Sequence, residues 1–121
     1  MDVLIVEDDE PVMRLIGWAL KVQGRRTGTA TTPDEAAEQA LASQPRVVIF
    51  NTCMSVTDKR ACIQELREAV RGVRVIDLVT GDRRGSADTG ADAYVFAPLY
   101  PDRVIDAVDE VLREAPRGVG R

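Results

Sequence analysis

Four acids in a row, Glu7-Asp8-Asp9-Glu10, follow the apolar run Val3-Leu4-Ile5-Val6. Carboxylates placed together can hold a hard divalent cation through their oxygens, carry a proton, or attack an electrophile. Later positions close apolar runs in the same way. Asn51 closes Val47-Val48-Ile49-Phe50, Thr80 follows Leu78-Val79, and Ala97-Pro98 closes Tyr94-Val95-Phe96. The amide oxygen of Asn51 is a weak nucleophile, the Thr80 hydroxyl can donate a hydrogen bond, and Ala97 offers no polar group. The chain contains no histidine, so the commonest general base and metal ligand is missing and a phosphohistidine role is excluded. Its two cysteines, Cys53 and Cys62, are too few for a disulfide framework and read as free thiols.

These groups can cooperate only where a fold gathers the ends of the runs. Residues 3–6 are apolar throughout, as in a parallel strand buried on both faces. Pro11 opens a helix, where its missing N–H costs nothing. Val12, Leu15, Ile16, Ala19 and Leu20 then recur at helical spacing, and Gly24 is a stop signal. Residues 26–30 give a weak second strand. Thr32-Pro33-Asp34-Glu35 is a capping box for a helix running to about Ser43. Val47 to Phe50 form the third strand. A helix from Asp58 to Val70 turns Cys62, Ile63, Leu66, Ala69 and Val70 inward and ends at Gly72. Val73 to Val79 and Tyr94 to Phe96 are the fourth and fifth strands. Pro101 opens the last helix, with Val104, Ile105, Val108, Val111 and Leu112 inward. This alternation predicts an α/β domain: a parallel sheet with helices on both faces. In such sheets ligands gather at the carboxyl ends of the strands, where Glu7, Asp8, Asn51, Thr80 and Ala97 fall. Asp77 sits among apolar strand residues, where a buried charge is costly unless paired; it is expected to reach solvent through the gap left by the fourth helix, with a partnered functional acid as the lesser alternative. Trp18 is expected to be partly buried on the first helix.

With 121 residues, 45% hydrophobic and 30% charged, the chain predicts one globular domain over residues 1–114 and a flexible Pro/Gly/Arg tail over 115–121. No apolar run approaches the roughly 20 residues of a membrane span, and no signal peptide is read. A cytoplasmic location without membrane contact is expected. Net charge is -4 and the basic residues come in pairs, Arg25-Arg26 and Arg83-Arg84, which argues against nucleic-acid binding.

The succession Leu4-Ile5-Val6-Glu7-Asp8-Asp9-Glu10-Pro11, the strand closing at Asn51, Val79-Thr80, and Gly90-Ala91-Asp92-Ala93-Tyr94-Val95-Phe96-Ala97-Pro98-Leu99 resembles the receiver domain of bacterial response regulators. The resemblance runs to about residue 114. It implies a flavodoxin-like (βα)5 fold with strand order 2-1-3-4-5. It also implies roles. In the family, two acids after the first strand and an aspartate ending the third bind Mg²⁺, and the aspartate accepts a phosphoryl group. A hydroxyl after the fourth strand and a lysine before the fifth-strand proline hold that group. By position the acids fall on Glu7 and Asp8, the aspartate on Asn51, the hydroxyl on Thr80 and the lysine on Ala97. The family's switch aromatic falls on Tyr94.

The chain departs from this pattern at its most chemical positions. An acyl phosphate needs a carboxylate, which Asn51 lacks, and Ala97 removes the cation that would stabilise the transferred group. Losing one carboxylate and one ammonium together keeps the pocket's formal charge. Ser55 and Val56 stand where the family usually has proline and glycine, and the segment 81–90 is short and polar, so the fourth helix is expected to be short or missing. These departures predict a degenerate pseudo-receiver, not an enzyme, acting independently of phosphorylation. With no output domain read after the receiver, it is expected to act alone through a protein partner such as a kinase, another receiver, an effector or a second copy of itself. The last helix, the fifth strand and the 81–90 segment form the expected contact surface. Weak Mg²⁺ binding at Glu7 and Asp8 is the one cofactor considered. The alternative is a small-molecule- or metal-binding regulator using the acidic pocket. A phosphoacceptor at Asp9 is disfavoured, since Asp9 lies beyond the strand end. Asp9 and Glu10 are expected to complement the helix N-terminus, and Asn51 to bond Asp8 or Thr80.

Overall fold

The computed structural model describes residues 1–51, 54–79 and 88–114. Thr80, Cys53, most of the 81–90 segment and the 115–121 tail therefore lie outside the described residues. Nine elements follow one another: β1 (Val3–Glu7), α1 (Glu10–Val22), β2 (Thr27–Ala30), α2 (Pro33–Ser43), β3 (Val47–Asn51), α3 (Val56–Ala69), β4 (Arg74–Val79), β5 (Ala93–Phe96) and α4 (Pro101–Arg113). The five strands are parallel in the order β2-β1-β3-β4-β5, as the resemblance implied. Among the described residues there is no helix between β4 and β5.

The sequence explains most of the boundaries. The Thr32 hydroxyl accepts the Glu35 N–H at 3.2 Å and starts α2 where the capping box predicts. The Ser55 hydroxyl accepts the Asp58 N–H at 3.1 Å, so α3 begins at Val56, two residues before the predicted start at Asp58. Gly24 stops α1 with φ of 83°, a conformation that costs glycine least.

β1, β3 and β4 are buried at every position, which is why β1 and β3 read as apolar runs up to their last residue, while β4 carries Arg74 and Asp77 among its apolar residues. Alternation along them sorts side chains to two cores. Leu4, Val6, Val48, Phe50 and Val75 pack with Ala36, Ala40, Ile63 and Leu66 of α2 and α3. Val3, Ile5, Val47, Ile49, Ile76 and Leu78 pack with Ile16, Leu20, Val104 and Val108 of α1 and α4. Two helix expectations need correcting. Ile16, Ala19 and Leu20 take the sheet side of α1, which turns Leu15 and Trp18 outward; Trp18 is 64% exposed instead of partly buried.

Candidate functional site

Register pairs Glu7 with Asn51 at the carboxyl ends of β1 and β3. Both continue the parity of Val3, Ile5, Val47 and Ile49, so they sit on the α1/α4 face. Both are buried, Glu7 to 2% exposure. Oε1 of Glu7 accepts the Asp9 N–H at 2.9 Å, while Oε2 is buried with no partner among the described residues. The Asn51 side chain hydrogen-bonds the Glu7 carboxyl, a partner the sequence reading did not name. Burial pushes Glu7 up to about 7, against the pull of these two hydrogen bonds and with help from the Asp8 charge. The pocket therefore carries less negative charge at neutral pH than its two carboxyls suggest.

Asp8 and Asp9 are exposed, and Asp9 caps α1 without a side-chain hydrogen bond. Ala97 extends the ladder by donating its N–H to Val79 O at 2.9 Å, and places only a methyl group at the sheet end. Glu7 and Asp8 are the residues that could hold a metal ion. Among the described residues no three His, Cys, Asp or Glu side chains are grouped to hold one. Two carboxyls and an amide offer fewer charged oxygens than a tightly held Mg²⁺ wants in its near-octahedral array.

On the other face of the sheet lies a polar network that sequence reasoning missed. Asp77 does not reach solvent as expected; it is fully buried, and the Lys59 Nζ donates to its Oδ1 at 2.7 Å. Its Oδ2 accepts the Thr89 hydroxyl at 2.8 Å. The Thr89 N–H donates to the Tyr94 hydroxyl at 3.0 Å, and that hydroxyl donates to Asp88 Oδ1 at 2.7 Å. Asp77 is the register partner of both Phe50 and Tyr94, and the ammonium of Lys59 lies 6.0 Å from the Phe50 ring centroid. The signal was present in the sequence. Lys59 shares the inner face of α3 with Ile63 and Leu66, and a lone cation there matches a lone acid in β4. Lys59 does not stand in for the cation missing at Ala97, because it is buried against Asp77 on the opposite face.

A doubly wound parallel sheet of this order, with its polar pair at the carboxyl ends of β1 and β3, is the flavodoxin-like architecture of receivers. Residues 3–109 match the response regulator receiver domain, and the chain belongs to that family. It is 28% identical over 115 residues to the transcriptional regulatory protein PrrA of Mycobacterium tuberculosis, covering 92% of this chain and 49% of PrrA. It is 30% identical over 115 residues to the probable transcriptional regulator ycf27 of Guillardia theta, covering 92% of this chain and 45% of that protein. The chain thus spans about half the length of the curated relatives it matches. The receiver domain of NtrX from Brucella abortus shares the fold, with a TM-score of 0.81 at 21% identity over 94% of this chain and 100% of that one. No helix among the described residues is long and apolar enough to cross a membrane.

Proposed function

We propose that this receiver is a degenerate one that signals in a two-component-type system by protein–protein interaction, without accepting a phosphoryl group. The observation that carries the reading is Asn51. It is the residue paired with Glu7 at the end of β3, and it presents an amide where acyl phosphate formation needs a carboxylate. Ala97 adds to it, since no ammonium is supplied from the end of β5 to offset charge on a transferred group. Glu7 and Asp8 would hold Mg²⁺ only weakly, and the domain would work in the cytoplasm as a binding module. Its contact surface is built on β5 and α4, where Phe96 and Tyr100 are half exposed. A kinase, another receiver, an effector or a second copy of the chain would dock there.

The test is direct. The protein is incubated with Mg²⁺ and a small phosphodonor and weighed intact. An unchanged mass is expected; a stoichiometric, base-labile phosphoryl adduct would overturn the reading, wherever the acid that carries it. A second reading, a regulator that binds a small ligand in the acidic pocket, is favoured by one observation: Glu7 Oε2 is buried and has no partner among the described residues.

A further inference from the structure

A cavity of about 360 Å³ opens at the opposite end of the sheet from Glu7 and Asn51. It lies where the chain enters β3 and β4, beside the last turn of α4. Gln44 and Gly72, with φ of 49° and 77°, turn the two loops that flank it. Arg46, Arg71 and Arg74 line it, and Glu114 is the single acid among its described lining residues. The cavity is therefore net positive in a chain whose net charge is -4.

The three arginines are not equivalent. Arg74 is 5% exposed; its Nη1 donates to Val111 O at 2.7 Å and its Nη2 to Glu114 O, which satisfies carbonyls at the end of α4. Its Nε is buried with no partner among the described residues. Capping α4 accounts for Arg74 but not for Arg46 and Arg71. Those two are exposed and have no ion-pair partner among the described residues. A buried, incompletely satisfied guanidinium flanked by two unpaired ones is an arrangement that calls for an anion.

We propose that this cavity binds a small phosphorylated anion, with Arg46 and Arg71 as its guanidinium ligands and Arg74 as a fixed positive charge behind them. Guanidinium groups match phosphate oxygens in bidentate pairs, which a lysine cannot do. The volume suits a ligand from pyrophosphate up to a mononucleotide. Arg74 ties the wall of the cavity to the last turn of α4 through Val111 O and Glu114 O. The site is independent of the acidic pocket and of the reading drawn from it.

The experiment titrates the full chain with sodium pyrophosphate by calorimetry, against sodium chloride at matched ionic strength. Backbone amide shifts locate any binding. A saturable single site with Kd below about 1 mM is expected, with shifts centred on residues 44–46 and 70–74. Arg46→Ala/Arg71→Ala should weaken binding about tenfold or more. Arg14→Ala/Lys21→Ala removes the same charge from α1 and should leave binding unchanged. The Arg74 cap is left intact, so folding is preserved and is checked by circular dichroism. No saturable heat up to about 10 mM would overturn the proposal at the affinity expected of charge-assisted pairs. So would equal affinity in the Arg46/Arg71 variant, or shifts confined to the Glu7 end of the sheet.

Discussion

Replacing Lys59 with methionine keeps the volume of its stem and removes its ammonium. The Asp77 carboxylate is then left fully buried, with the Thr89 hydroxyl as its hydrogen bond among the described residues. An exposed pair of the same 2.7 Å geometry would contribute only about 0–1 kcal/mol. Here the two side chains are 0% and 1% exposed, and removing one partner of a buried pair costs about 3–5 kcal/mol. In a domain of this size about 1 kcal/mol moves Tm by roughly 3–6 °C, so Lys59→Met should lower Tm by roughly 10–25 °C. Urea denaturation followed by circular dichroism, together with calorimetry, measures both quantities. Lys59→Met/Asp77→Leu removes both charges and should recover most of the loss, because no uncompensated charge remains. A single variant within about 1 kcal/mol of the parent would refute the reasoning. A double variant as unstable as the single one would do the same, since the damage could not then be an orphaned carboxylate.

Three further outcomes follow from other side chains. The folded value of Glu7, about 7, lies above its ordinary 4.5, so the folded state holds the proton more tightly. Its contribution is therefore full below about pH 4.5 and is lost as pH rises through 7, by up to roughly 3 kcal/mol. Glu7→Gln cannot ionise and should flatten that part of the stability–pH curve in urea melts; parallel curves for parent and variant would show that Glu7 ionises normally. Asn51→Asp restores a carboxylate but no cation, and places a like charge beside Glu7. Incubated with Mg²⁺ and a small phosphodonor, it should gain phosphoryl mass only slowly and sparsely; rapid stoichiometric labelling would mean that the absent cation at Ala97 matters little. Trp18 is 64% exposed, so Trp18→Ala should change stability by less than about 0.5 kcal/mol, and iodide should quench its fluorescence in the parent; a shielded indole would contradict its placement.

The fold was legible because its signals are local and repeated. Unbroken apolar runs mark the central strands, and Thr32 and Gly24 stand at helix ends for reasons confined to a few residues. The strand order came from resemblance alone, since nothing in a run such as Val47 to Phe50 says which neighbour it takes. The candidate site was half legible. That Glu7 and Asn51 meet follows from both ending parallel strands. That Glu7 resists ionising depends on burial between elements far apart in sequence. Asp77 was misread because its partner comes from α3, 18 residues away, and shows only when the inner face of that helix is searched for a cation. Trp18 was misread because helical spacing defines a stripe but not its edges: Leu15 and Trp18 border the buried face without entering it.

Two adjacent residues of β3 face the two polar groups at this end of the sheet from opposite sides. Asn51 faces α1 and α4 beside Glu7, while Phe50 faces α3 and the Lys59 ammonium. A cation is thus present near the end of β3, but α3 brings it to the face opposite the acidic pocket, and Asp77 holds it there. Tyr94 is held in the same way. Its hydroxyl is fixed by Asp88 and Thr89, in the segment leading into β5, and Thr89 is fixed in turn by Asp77. The Tyr94 hydroxyl is therefore tied, through Thr89, to the buried Asp77–Lys59 pair on the α3 side of the sheet. An aromatic anchored in this way accords with the proposed receiver, in which the surface around β5 is presented to a partner without first waiting for a phosphoryl group.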